Sequence, residues 1–332
     1  MTAVNDAAPA PGARDVTLLV LDAEPPPRLG SLTGRVRVLH GDEATFARRL
    51  PEADAVLVWD FLSDAVRRAW PGPGARPRWV HTASAGVDHL MCPELTASDT
   101  VVTNARGVFE TPIAEYVAGL VLAAAKDFRG TDEAQRGRRW RHRETRRVAG
   151  TRAVVVGAGP VGRAVAGTLK GLGVKVALTG RTARAGVHGP EDLLPLLAGA
   201  DWVVAAAPLT GTTRGMFDAR AFGAMSPSAY FINVGRGQLV VEEDLLAALR
   251  RRWTGGAALD VFEREPLPPP DSPLWDAPGL VVSPHTSGDV VGRRDELARQ
   301  FLELFDLWAA GKPLPNVVDK NVGYVPLHDG TH

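Results

Sequence analysis

Short apolar runs recur along this chain, and between them apolar residues fall at helical spacing. That alternation predicts parallel strands joined by crossover helices. In the first third, Val16–Leu21, Val36–Leu39, Ala55–Trp59, Trp79–Thr82 and Val101–Thr103 read as strands. Residues 44–50 and 63–69 read as short helices, the second capped by Ser63. The Pro/Gly cluster 71–77 marks a turn, and Ala83 to Asp88 a loop of small residues. From residue 153 the alternation resumes. Strands are predicted over 153–156, 174–178, 202–205, 229–233, 256–259 and 280–282, with helices over 162–171, 191–198, 218–223 and 242–251. A last helix is predicted over 293–310.

Two stretches depart from this rhythm. Residues 111–126 predict one long helix, with Thr111 as N-cap and Pro112 as first helical residue. It is apolar almost all round, which predicts burial, but it is too short to span a bilayer and contains Glu115. The basic run Arg136–Arg147 reads as a solvated face or exposed loop in preference to a polyanion site, and residues 136–150 as the candidate link between domains.

Composition narrows the function classes. A chain of 332 residues suits two domains, each with its own core. Its 38 basic and 38 acidic residues cancel, so nothing electrostatic points to nucleic acid or a charged membrane. The single cysteine, Cys92, excludes an internal disulfide and a multi-cysteine metal site; it is expected to be buried and inert, and no metal is expected. Residues 1–14 are rich in Ala and Pro, lack the basic start and apolar core of a signal peptide, and read as a frayed tail. The expectation is a soluble protein of the reducing cytoplasm.

The chemistry gathers around one stretch. The run Ala153–Val156 is followed by Gly157, Gly159 and Gly162 at G-x-G-x-x-G spacing, and then by a helix. Gly157 permits the tight turn, Gly159 admits a pyrophosphate close to backbone, and Gly162 lets helix and strand pack closely. The helix N-terminus presents unpaired N–H groups to phosphate, and Pro160 and Val161 occupy its first turn. In such a fold the residue ending the second strand reads the adenosine ribose: an acid favours NAD, and an Arg accommodates a 2′-phosphate. No carboxylate occurs between Val174 and Val187; Gly180 stands in the acid's place, followed by Arg181 and Thr182. NADP(H) is therefore favoured over NAD(H), with Arg181 as a planar donor and Thr182 adding a hydroxyl.

Three polar residues follow strand ends further on. Arg236 lies between Gly235 and Gly237, Glu265 precedes Pro266, and His285 follows Pro284. Ligands of open parallel sheets bind outside the carboxyl ends of strands, which points all three at one crevice. Together they suit carbonyl reduction beside a carboxylate. Arg236 would bind the substrate's carboxylate and carbonyl oxygen, His285 would exchange the proton, and Glu265 would stabilise the imidazolium. Singly, each also reads as a solvated loop charge, a turn residue or a core histidine.

The order of motifs resembles the D-isomer-specific 2-hydroxyacid dehydrogenases, of the glyoxylate/hydroxypyruvate reductase kind. The residues that carry the likeness are Ser84-Ala-Gly-Val-Asp88, Thr103-Asn-Ala-Arg-Gly107, the glycine loop, Pro208-Leu-Thr with Thr213, Asn233-Val-Gly-Arg-Gly237, Ala258-Leu-Asp-Val-Phe262 with Glu265-Pro266, and Ser283-Pro-His-Thr-Ser-Gly288. The resemblance implies an α/β fold of two doubly wound parallel-sheet domains with a cleft between them. The first is a flavodoxin-like substrate domain over 1–105 and 291–332, the second a Rossmann dinucleotide-binding domain over 106–290. It implies Arg236, Glu265 and His285 as the catalytic set, and the loop Ser84, Ala85 and Gly86 as the holder of the substrate carboxylate. Asp260 and Gly288 would lie near the nicotinamide, with Pro208 and Thr213 along the cofactor. It also implies a homodimer in which the 111–126 helix and Trp140 find burial. Trp59 to Leu62 would border the substrate side chain, and their bulk suits a small 2-ketoacid such as glyoxylate or hydroxypyruvate; the alternative is a place in the first core. Phosphite or formate oxidation on the same scaffold, and a non-enzymatic dinucleotide-sensing corepressor, are the competing functions.

Overall fold

The computed structural model describes residues 16–22, 24–72, 74, 77–268 and 271–326. The tail expected at 1–14 and three residues of the 71–77 turn lie outside them. The chain packs as two units, one running to Val108 and resuming at Val290, the other spanning Phe109–Asp289.

In the first unit β1 (Thr17–Leu21), β2 (Arg37–Gly41), α1 (Glu43–Arg49), β3 (Ala55–Val58), α2 (Ala65–Ala69), β4 (Trp79–Thr82), α3 (Pro93–Thr96) and β5 (Val101–Asn104) alternate as predicted, apart from the four-residue α3. All strand pairs are parallel, in the order β2-β1-β3-β4-β5, the flavodoxin-like winding. Local chemistry sets the helix starts. Asp42 accepts from Thr45 N–H at 2.9 Å while Thr45 Oγ1 accepts from Asp42 N–H at 3.1 Å, a reciprocal cap that starts α1. Asp64, not Ser63, is the residue preceding α2, although Ser63 Oγ still accepts from Ala65 N–H at 3.2 Å. Cys92 is buried, its Sγ accepts from Leu95 N–H, and burial raises its thiol above the usual range.

The second unit begins with α4 (Glu110–Ala125) and α5 (Phe128–Arg136), followed by β6 (Arg152–Val156), α6 (Pro160–Gly171), β7 (Lys175–Thr179), α7 (Leu193–Ala198), β8 (Trp202–Ala205), α8 (Ala219–Ala224), β9 (Tyr230–Asn233), α9 (Glu242–Arg250), β10 (Gly256–Leu259) and β11 (Leu280–Val282). The parallel sheet runs β11-β10-β9-β8-β6-β7. In a dinucleotide-binding sheet the third strand lies beyond the second. Here that place holds a single parallel bridge, Thr179 to His188, so β11 is a seventh strand position rather than the sixth. Winding reverses between β6 and β8, which opens a crevice at their carboxyl ends. Phe217, Phe222 and Phe231 fill the core beneath, with the 217 and 231 rings 4.8 Å apart.

Two expectations for this unit change. Phe109, not Thr111, stands at the N-cap position of α4; it makes no side-chain capping bond, and its buried ring packs where a Cβ on Gly288 would stand. Burial of α4 is one-sided, since Ile113, Ala114, Val117 and Val121 are covered and Thr111, Glu115 and Gly119 are exposed. Residues 136–150 lie wholly inside the second unit and do not link the two. This segment is pinned by Arg143 on Asp127 at 2.7 Å and by Arg146 on Asp201, so its polarity reports exposure and not a domain boundary.

Beyond the second unit, α10 (Arg293–Ala309) packs in the first. Phe301 and Trp308 stack on Trp79 at 5.6 and 5.5 Å; burying the Phe301 ring contributes about 2–3 kcal/mol, whereas Trp308 is half-buried. His81 lies in this aromatic layer, fully buried, with Nδ1 2.9 Å from Thr103 Oγ1. Burial pushes its pKa down to about 3, so it folds neutral. Between about pH 6.5 and pH 3 the unfolded chain binds a proton that the folded chain refuses, so stability is full above that window and falls with acid through it. His81→Leu is expected to flatten this slope by up to about 1.4 kcal/mol per pH unit, read by urea unfolding between pH 6 and 4. An unchanged slope would mean the imidazole does not titrate on unfolding.

Candidate active site

Loops at the carboxyl ends of β6, β7, β8, β9, β10 and β11 carry the second unit's polar groups. After β6, Gly157 takes φ 123°, and a Cβ there would come 2.5 Å from Ala206 O of the β8 loop. A Cβ on Gly162 would collide with the Gly157 carbonyl. Both positions therefore demand glycine, one for backbone conformation and one for close packing. Gly159 precedes α6 and Pro160 opens it, so the helix N-terminus faces the crevice with Val161 in its first turn. After β8, Thr213 Oγ1 donates to Pro208 O at 2.7 Å and accepts from Thr210 N–H at 2.8 Å, closing the loop that carries both residues. After β7, Gly180 is followed by Arg181 and Thr182, both exposed on the turn. These features fit a dinucleotide: a cradle that a Cβ would fill, a helix N-terminus, and a guanidinium on the turn after β7.

The catalytic candidates follow β9, β10 and β11, which are neighbours in the sheet. Asn233 shapes the first loop, accepting from Gly235 N–H at 3.0 Å and donating to Arg236 O at 2.9 Å. Arg236 is half-buried, and its Nη1 donates to Gly235 O at 2.9 Å. A Cβ on Gly237 would overlap the Phe262 carbonyl, so the Arg236 loop presses directly on the next. Gln238 donates to Glu263 O at 3.0 Å, and Glu242 accepts from Glu263 N–H at 2.8 Å. Burial holds the Glu242 carboxyl above the usual carboxylate range, against the bond it accepts from Glu263 N–H, which pulls the other way. Glu265 accepts from Phe262 N–H at 2.9 Å through Oε1 and meets His285 Nδ1 at 2.7 Å through Oε2. Both side chains are partly buried, at 21 % and 28 % exposure, so the pair is screened less than a surface ion pair.

Asp260 organises what His285 sits on. Its carboxylate is 1 % exposed and accepts from Ser283 Oγ at 2.6 Å, Thr286 N–H at 2.9 Å and Ser287 N–H at 2.8 Å. His285 N–H donates to Asp260 O at 2.8 Å. Inside this clamp His285 takes φ 52°, a left-handed conformation that costs about 1–3 kcal/mol outside glycine. Tyr116 of α4 hydrogen-bonds Ser283, and burial raises its phenol above the usual range. Sequence reasoning missed Tyr116, Gln238 and Glu242, because none stands in a recognisable motif and each acts through contacts distant in the chain.

Ser84, Ala85 and Gly86 belong to the first unit, after β4. Ser84 Oγ donates to Gly86 O at 2.7 Å, Asn104 donates to Ala85 O at 2.6 Å, and Ala105 N–H donates to Ser84 O at 2.9 Å. The loop's carbonyls are thus engaged inward, while among the described residues the Ala85 and Gly86 N–H groups meet no backbone acceptor. Trp59 is buried with the Arg294 guanidinium 5.5 Å from its ring, whereas Leu62 is exposed. Trp140 is fully exposed. No metal-binding cluster of His, Cys, Asp or Glu occurs among the described residues, and no described helix is long and apolar enough to cross a membrane.

Comparison with known proteins points to one family. Residues 118–287 match the family model for the D-isomer specific 2-hydroxyacid dehydrogenase, NAD binding domain. The glyoxylate reductase of Thermofilum pendens is 30% identical over 287 residues, covering 83% of this chain and 84% of that one. The NADPH-dependent glyoxylate/hydroxypyruvate reductase of Sinorhizobium meliloti, solved with NADP and sulfate, superposes with a TM-score of 0.79 at 31% identity, over 93% of this chain and 100% of its own. A D-isomer specific 2-hydroxyacid dehydrogenase from Xanthobacter autotrophicus, solved with NADPH and MES, gives 0.75 at 33% identity, over 93% and 100%.

The Asp260 clamp can be tested without substrate. Asp260→Ala is expected to destabilise the protein by about 2–4 kcal/mol, because three donors lose a buried acceptor. Hydrogen exchange at the Thr286 and Ser287 amides should accelerate more than exchange in β6. Uniform acceleration would show that Asp260 is not the loop's anchor.

Proposed function

The chain belongs to the D-isomer specific 2-hydroxyacid dehydrogenase family and is an NAD(P)-dependent oxidoreductase; from that premise we propose that it reduces a small 2-ketoacid, of the glyoxylate or hydroxypyruvate type, to the D-2-hydroxyacid. The observation that carries this reading is the 2.7 Å contact between His285 Nδ1 and Glu265 Oε2. A bound nicotinamide dinucleotide supplies the hydride to the carbonyl carbon. The chain's residues do the rest. Arg236 binds the substrate carboxylate and draws charge onto the carbonyl oxygen. His285, with Nδ1 turned to Glu265, presents Nε2 and delivers the proton to that oxygen as the alcohol forms. Glu265 stabilises the imidazolium beforehand and fixes the ring's orientation. The N–H groups of Ala85 and Gly86, with Ser84 shaping their loop, are assigned to the substrate carboxylate.

NADP(H) is the preferred cofactor in this proposal, with Arg181 and Thr182 reading the 2′-phosphate. Gly157, Gly159, Pro160, Val161 and Gly162 hold the pyrophosphate, and Pro208 and Thr213 line the cofactor's path. Asp260 and Gly288 take the nicotinamide end, Asp260 through the loop it clamps. The NADP and NADPH in the two bacterial structures support that preference. A homodimer is proposed as well, on the half-exposed apolar residues of α4, such as Leu120 and Leu122, and on the fully exposed Trp140.

His285→Ala is expected to lower kcat on glyoxylate or hydroxypyruvate by about 10²–10⁴-fold with NADPH affinity nearly intact. Steady-state rates beside fluorescence titration of NADPH check this, and retained turnover would remove the imidazole from the mechanism. Arg181→Ala is expected to weaken NADPH binding about tenfold and leave NADH unaffected. A panel of glyoxylate, hydroxypyruvate, phosphite and formate with both dinucleotides tests the substrate class; turnover of phosphite or formate alone would replace the proposed reaction.

A further inference from the structure

The turn after β7 holds a steric feature that motif reading does not reveal. A Cβ built on Gly180 would lie 3.0 Å from Val187 Cγ1 and 3.2 Å from Ala158 Cβ, inside the ~3.5 Å at which carbon atoms ordinarily touch. The backbone that carries each wall is held by hydrogen bonds. Gly157 donates to Thr179 O at 3.0 Å, which ties the Ala158 loop to β7. Gly180 donates to His188 O at 2.9 Å and His188 to Leu178 O at 2.8 Å, while Arg184 and Val187 exchange bonds of 3.0 and 2.8 Å across the turn. Val187 is 5 % exposed and Ala158 7 %, so neither has open solvent to retreat into.

We propose that Val187 is a specificity-determining residue which, with Ala158, keeps a carboxylate-bearing side chain out of position 180. The ribose-reading acid is then not merely missing from this chain but refused by the shape of the turn. The adenosine end is left to the Arg181 guanidinium, and selectivity has a repulsive component beside the attractive one. This rests on the dinucleotide reading given above, in which the end of β7 meets the adenosine ribose.

The test is direct binding, with NADPH and NADH titrated by fluorescence into wild type, Gly180→Asp and the Gly180→Asp, Val187→Ala double variant. Gly180→Asp alone is expected to lose NADPH affinity while gaining less than about twofold for NADH. The double variant should bind NADH at least about tenfold tighter than Gly180→Asp, equivalent to about 1.4 kcal/mol. Equal NADH gains in single and double variants overturn the proposal. A wild type that binds neither dinucleotide overturns the cofactor reading and this assignment with it. A melting cycle over Gly180→Ala, Val187→Ala and their combination needs no dinucleotide. Non-additive losses, with Val187→Ala relieving part of the Gly180→Ala penalty, support the contact, and simple additivity overturns it.

Discussion

Asp260 ties together more of the candidate site than any other side chain. A buried carboxylate without partners would be untenable, and here three donors from one loop satisfy it. The same bonds force His285 into a left-handed backbone conformation and present its ring to Glu265. Loop shape and imidazole orientation are thus one constraint. Glu265 is fixed in turn by Phe262 N–H on one oxygen, which leaves the other for the histidine. The candidate catalytic residues follow strand ends, where the rigid sheet sets positions that a free loop could not hold.

A second constraint is close approach of backbone to backbone. Gly157 and Gly162 bring β6, α6 and the β8 loop together, and Gly237 seats the Arg236 loop on the Glu265 loop. Gln238 and Glu242 cross the same seam with hydrogen bonds to Glu263. Residues that would hold phosphate and residues that would handle protons are therefore linked through packed backbone, within one unit of the chain. The first unit supplies a different kind of element, a small-residue loop whose carbonyls are turned inward by Ser84, Asn104 and Ala105.

Much of this was legible in the sequence because it is local. Strand and helix order, the glycine spacing, and Arg236, Glu265 and His285 at strand ends all follow from periodicity and from the rule that ligands gather at carboxyl ends. Errors arose where an interaction spans the chain. Phe109 stands at the start of α4 with its ring packed against the distant Gly288, a contact that no local N-cap preference anticipates. The 136–150 segment is pinned to Asp127 and Asp201, and composition alone cannot distinguish such an arm from a linker.

By itself the sequence determined the fold class, the presence of a nucleotide loop and the chemical identity of the groups available for catalysis, since these depend on residue type and spacing along one strand-loop-helix unit. Only the tertiary structure decided that Asp260 is consumed by the His285 loop, that the third strand of the nucleotide sheet shrinks to a bridge at His188, and that Gly180 is walled in by Ala158 and Val187. The physical reason is range: propensity and patterning act over a few residues. Hydrogen bonds to a buried carboxylate and van der Waals exclusion act over a few ångströms between segments that the chain separates widely.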